Sequence, residues 1–190
     1  MAVAWAWGVK FPHLTVVLSM VGGCAGIDTG GALPTTGADA AVTAPDDFDL
    51  EMMQIATRYK SFSKIDNTAY ASSIGVGDIN LYVWGDSKDY KLVSPETTGS
   101  GITMVVGSVI VREVLDSSGA VDKLTLMAKG PAGYDPTLGD WWFGVLDASG
   151  TPAVTDGRIQ LGRLGDCHSC HIPRETDDYL FGVPQADQHH

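Results

Sequence analysis

Five residues near the end of the chain carry the most chemistry: Cys167-His168-Ser169-Cys170-His171. A Cys-x-x-Cys-His run is the attachment pattern of a c-type haem. In that chemistry the two thiols add across the two vinyl groups of a porphyrin. The two-residue spacer sets the sulfurs at the separation of those vinyls. The following imidazole, that of His171, is then held under the iron as an axial ligand. Such a run arises by chance in roughly one chain in a thousand of this length. His168 faces away from the iron in this geometry and serves as a spacer.

Two other chemistries compete for the same residues. Zinc accepts both thiolate and imidazole, but four ligands within five residues cannot all reach one tetrahedral ion. A structural zinc site joins two separated pairs, and the sequence holds no second pair. A redox disulfide between Cys167 and Cys170 normally opens a helix after a strand in a thioredoxin-like βαβ unit. The flanking sequence carries no such pattern.

The inventory of further iron ligands is short. Outside the run the histidines are His13, His189 and His190, and the methionines beyond the first 23 residues are Met52, Met53, Met104 and Met127. Met127, in a strand-like segment, is the best placed of these, but a methionine on a strand usually fills a core. An open sixth position is therefore expected, and an open, partly apolar pocket favours neutral diatomic ligands. With Met127 bound instead, the protein would be a simple electron-transfer cytochrome.

Attachment of this kind takes place outside the bacterial cytoplasm, which calls for an export signal. Residues 1–23 contain one basic residue, Lys10, and no acid, with a short apolar stretch over 14–21. They read as a signal peptide, too short for a spanning helix. The junction Val21-Gly22-Gly23-Cys24 is similar to a bacterial lipobox, so Cys24 is the expected lipid attachment site. Each cysteine then has a use: one for lipid and two for haem. The expected location is the periplasmic side of a bacterial membrane, the outer membrane in particular, with the lipid as the only membrane contact. The net charge of −11 becomes one unit more negative once Lys10 is removed. Such acidity repels nucleic acid and suits a cationic redox partner protein.

Residues 24–45, rich in Gly, Ala, Thr and Pro, read as a flexible linker. Residues 46–190 are long enough for one domain with one core. Phe48, Met52, Ile55 and Tyr59 recur at helical spacing behind acidic residues that favour a helix start. Beyond them the pattern turns to strands: Ile79, Leu81 and Val83 alternate with Asn80, Tyr82 and Trp84. Segments 104–114, 124–128 and 141–146 are rich in β-branched and aromatic residues. Asp116-Ser117-Ser118-Gly119 and Asp147-Ala148-Ser149-Gly150 mark turns. The fold expected is mainly β (α+β): an antiparallel sheet, a short N-terminal helix and a C-terminal haem-binding segment. The porphyrin should then lie against the sheet.

Several landmarks recur in a familiar order. They are Val109-Ile110-Val111-Arg112-Glu113, Leu126-Met127-Ala128-Lys129-Gly130, Gly133-Tyr134-Asp135-Pro136, Gly139-Asp140-Trp141-Trp142-Phe143, the haem run, and Asp178-Tyr179-Leu180-Phe181. With this order, residues 59–183 resemble the cytochrome P-460 family, including the cytochrome c′-β proteins. The resemblance implies a β-rich homodimer with a five-coordinate haem. Some members oxidise hydroxylamine with a haem cross-linked to a lysine; the c′-β members lack that link and bind nitric oxide or carbon monoxide. The position of the cross-linking lysine is Arg112 here. Arginine stays protonated and cannot act as that nucleophile. Arg112 faces either a haem propionate or solvent; Lys129 is expected at the surface or on a propionate. By family position Leu124, Thr125 and Leu126 lie near the distal pocket, where a Thr125 hydroxyl facing the iron would donate one hydrogen bond to a bound ligand. Trp141 and Trp142 are expected as core and wall. The activity is open between binding small nitrogen oxides or other diatomic gases and oxidoreduction of hydroxylamine or nitric oxide.

Overall fold

The computed structural model describes residues 46–72 and 77–189. The expected signal, Cys24, the linker and His190 lie outside the described residues. Among the described residues no helix is long and apolar enough to cross a membrane.

The chain enters through helix α1, Asp47–Ala56. Its start is a capping box: the Asp46 carboxylate accepts from the Asp49 amide at 2.8 Å, and Asp49 accepts from the Asp46 amide at 3.0 Å. Two donors that the first turn leaves unpaired are thereby satisfied. Tyr59 falls beyond the helix, in a 3₁₀ turn over Tyr59–Ser61. Two short strands follow, β1 (Ser63–Lys64) and β2 (Tyr70–Ala71), then β3 (Asp78–Trp84) and a single turn of helix α2 (Ser87–Tyr90).

The body of the fold is an antiparallel meander of β3, β4 (Val109–Leu115), β5 (Val121–Lys129) and β6 (Trp141–Asp147). Strands β7 (Val154–Thr155) and β8 (Arg158–Ile159) pair with each other, and β9 (Leu161–Gly162) pairs with β6. The sheet runs β1-β3-β4-β5-β6-β9, with β2 also on β3. Residues 104–108 are not strand, although their composition suggests it. Gly107 takes a φ of +88° and turns the chain, and its amide reaches the Lys129 carbonyl at 2.8 Å. The two Asp-x-Ser-Gly turns close by one device: the Asp116 and Asp147 carboxylates each accept from the amides two and four residues on. These side chains mimic a backbone turn and fix the register of the flanking strands.

Alternation along the strands divides the side chains between two cores. Tyr82, Val109, Val111, Leu124, Leu126, Ala128 and Trp142 pack with Met52 and Ala56 of α1 on one face. Ile79, Leu81, Val83, Ile110, Val114, Met127, Trp141 and Phe143 lie on the other, covered by the C-terminal segment through Tyr179, Leu180 and Val183. The tail docks tightly because Gly182, at φ +71°, lacks a Cβ. A methyl there would overlap the Val93 carbonyl, whose carbon would be only 2.5 Å away.

Two expectations follow. Gly182→Ala should lose about 3 kcal/mol or more, whereas Gly119→Ala, with a similar φ but open space around it, should lose about 1 kcal/mol. Urea unfolding of both variants checks this, and equal losses would contradict it. The second concerns Glu113, buried on the α1 face. Burial pushes its carboxyl up, but hydrogen bonds from Lys60 and Tyr59, the Lys60 charge and Asn80 outweigh that, so its folded pKa lies below the ordinary value. A depressed carboxylate contributes stability above its unfolded pKa, about 4.3, and loses it as pH falls through the folded value. The stability of the parent protein should therefore decline below about pH 4. Glu113→Gln should flatten that acid limb when unfolding is measured across a pH series.

Candidate functional site

The Cys-x-x-Cys-His run forms its own short helix, α3, Gly165–His171. Positions three and four apart share a helical face, so Cys167, Cys170 and His171 are presented together. Cys167 is half-buried and packs against the cavity-side core, while Cys170 is exposed. Helix α3 follows the two-residue antiparallel strand β9 and not a parallel βαβ unit. Burial pushes the Cys167 thiol above its ordinary pKa, the opposite of an activated redox thiol. Among the described residues no group of three or more His, Cys, Asp or Glu side chains is arranged to hold a metal ion.

His171 is fixed in orientation. Its Nδ1 lies 2.5 Å from the Tyr179 carbonyl oxygen. A carbonyl only accepts, so Nδ1 carries the proton and Nε2 keeps its lone pair. The ring is edge-on to Phe181 at 5.0 Å between centroids and tilted against Phe143 at 5.4 Å. Burial, and then the Arg112 charge, hold its pKa below the ordinary histidine value against the opposing effect of the Tyr179 carbonyl. The result is a neutral imidazole with a defined tautomer, the form that ligates a metal.

The Tyr179 carbonyl reaches His171 because the chain reverses sharply. After a 3₁₀ stretch over Ile172–Asp177, Asp178 and Tyr179 take φ values of +53° and +66°. Left-handed conformations cost non-glycine residues about 1–2 kcal/mol each, so this reversal needs support. Asp178 supplies much of it. Its carboxylate pairs with buried Lys129 at 2.5 Å and accepts from the Met104 amide at 2.7 Å, and its carbonyl accepts from Trp141 Nε1 at 2.8 Å. Arg174 donates to the carbonyls of Leu180, Thr97 and Ser94, each at 2.9 Å, and lies 3.2 Å from Asp177. Lys129 is thus an internal anchor, against the expectation of a surface or propionate-pairing residue.

A cleft opens between His171 and the sheet, with about 840 Å³ of non-protein space, part of it open to solvent. Its walls are Ile79 and Leu81 of β3, Ile110 and Arg112 of β4, Thr125 and Met127 of β5, Phe143 of β6, Tyr70, Tyr90, and Leu180 to Gly182 of the tail. Cys167 and His171 line it; Cys170 does not. Of the three residues expected near the distal side, Thr125 faces the cleft. Leu124 and Leu126 belong to the opposite core, with Leu126 also bordering the cleft. Strand alternation makes this separation unavoidable: three consecutive residues cannot share a face.

Arg112 points into this apolar space. It is half-buried, and its remaining surface forms part of the cleft wall. Its Nε donates to Thr125 Oγ1 at 2.9 Å. Trp141 and Trp142 are fully buried core residues. The sequence reading missed Tyr70, Tyr90, Phe143 and Phe181 as lining residues. It also missed the Arg174 and Asp178 anchors; the only local signal was the clustering of charged residues just after the Cys-x-x-Cys-His run.

The chain matches no protein-family model and no curated protein.

Arg174→Met removes three donors and leaves Asp177 buried without its cation. The expected loss is about 3 kcal/mol in urea unfolding. Arg163→Met, at an exposed cation over the Tyr134 ring, should change stability by about 0.5 kcal/mol. Similar losses would show that the tail is not held as described.

Proposed function

We propose that this chain is a c-type haem protein of the cytochrome P-460 and c′-β kind that binds small diatomic nitrogen oxides or related gases. The observation that carries the reading is the coincidence of three things at one cleft: the Cys-x-x-Cys-His helix at its edge, the lone pair of a tautomer-fixed His171, and a mainly apolar lining. The cleft chemistry fits the group. Its walls are mainly apolar, Cys167 reaches its lining, and Cys170 stands one helical turn further on.

In this reading Cys167 and Cys170 would hold the porphyrin through thioethers and His171 Nε2 would ligate its iron; the haem would supply the iron chemistry that takes up a small gas. Phe143 and Phe181 confine the His171 ring, and the Tyr179 carbonyl raises its basicity through Nδ1–H. Leu81, Ile110 and Met127 line the same cleft with apolar side chains, which would disfavour water there. No lysine lines the cleft among the described residues, and Lys129 is committed to Asp178. These facts weigh against a lysine cross-linked haem and favour gas binding over hydroxylamine oxidation. The electron-carrier alternative rests on Met127, which is buried and lines the same cleft as His171.

The test is an optical one on protein matured in a cell equipped for cytochrome assembly. The reduced protein should bind carbon monoxide, and Met127→Leu should leave its spectrum unchanged. His171→Ala should retain covalent haem, lose the parent spectrum, and recover it on addition of imidazole. A low-spin spectrum indifferent to carbon monoxide in the parent, but responsive in Met127→Leu, would establish the electron-carrier reading instead.

A further inference from the structure

Arg112 is a cation in an apolar setting that lacks an acid. The ion pairs among the described residues use Lys60, Lys64, Lys129 and Arg174, and none uses Arg112. In register it sits between Leu81 and Thr125, at the middle of the sheet. The bond from Nε to Thr125 fixes the plane of the guanidinium and leaves both terminal nitrogens for another partner. Burial pushes its pKa below the ordinary arginine value, though an arginine remains charged under any working condition. A second polar group lines the same cleft unpaired. The Tyr70 hydroxyl is buried without a hydrogen-bond partner, on a side chain only 8 % exposed. An uncompensated cation and an unpaired hydroxyl are each unfavourable in such surroundings unless a ligand completes them.

We infer that Arg112, anchored by Thr125 and joined by Tyr70, forms an anion subsite in the cleft that takes a small two-oxygen oxyanion. The fork of terminal N–H donors matches two oxygens held in one plane. A neutral gas uses none of these donors, so the subsite adds a ligand class to the function proposed above, on which it rests.

The same chemistry could be met from within the cofactor, by a haem propionate. The two sources share one chemistry, a planar pair of oxygens facing the guanidinium fork, and the experiment separates them.

The experiment titrates haem-loaded protein with nitrite, and separately with carbon monoxide, following the visible spectrum. Arg112→Gln should weaken nitrite binding about tenfold or more, the size of a lost charge-assisted contact, with a far smaller change for carbon monoxide. Tyr70→Phe should weaken nitrite about threefold, and it carries the test if Arg112→Gln does not fold. Arg112→Lys, which keeps the charge and loses the fork, should fall between parent and Gln. Haem-loaded variants that bind carbon monoxide and take nitrite as tightly as the parent would overturn the subsite; a shifted reduction potential alongside would assign Arg112 to a propionate. Colourless parent protein would overturn the haem reading itself, and the subsite with it.

Discussion

The hydrogen bond between His171 Nδ1 and the Tyr179 carbonyl is the contact on which the site depends. It sets the tautomer, directs the free lone pair, and joins the helix of the cysteine run to the tail that walls the cleft. It exists only because two consecutive residues hold left-handed backbone angles. That strain is tolerated because Lys129, Met104 and Trp141 all grip Asp178. Strained backbone persisting under dense local support is a mark of functional sites. Here the support comes from β5, β6 and the loop before β4, so the sheet positions the imidazole and leaves its Nε2 free.

The two faces of the sheet treat charge in opposite ways. Glu113 is fully buried and fully answered: Tyr59, Lys60, Asn80 and Tyr82 all donate to it. Arg112, its neighbour in sequence, points the other way and has a single neutral partner. A one-residue slip of β4 would exchange them, burying a carboxylate in the cleft and a guanidinium under α1. The Asp116 turn and the Gly107 reversal at the two ends of β4 hold that register. A satisfied charge on the structural face and an unsatisfied one on the cleft face is the distribution expected of a sheet that carries a binding site on one side.

Much of the sheet is legible in the sequence. The alternation over 79–84, the β-branched run through 109–114 and the two Asp-x-Ser-Gly turns correspond to strands and hairpins of the structure. Residues 104–108 misled because β propensity describes side chains, whereas Gly107 decides the backbone there. The Cys-x-x-Cys-His run is conspicuous because its spacing is local. The cleft walls are not, since Tyr70, Tyr90, Phe143 and Phe181 are brought together by pairings distant in sequence. Grouping Leu124, Thr125 and Leu126 conflicted with the two-residue period of a strand: Thr125 faces the cleft, Leu126 packs in the opposite core and only borders the cleft, and Leu124 does not line it. The Asp178 reversal left no pattern that a propensity argument detects, because non-glycine residues in left-handed conformations are chosen by tertiary contacts.

Whether the cleft holds a porphyrin stitched to Cys167 and Cys170, as proposed, is decided by mass spectrometry of protein produced with a cytochrome-assembly system, followed through to the peptide containing residues 167–171. One haem should be found on that peptide, joined through both thiols and to no third residue. Recovery of the peptide with two unmodified thiols, from cells that mature other c-type cytochromes, would contradict it.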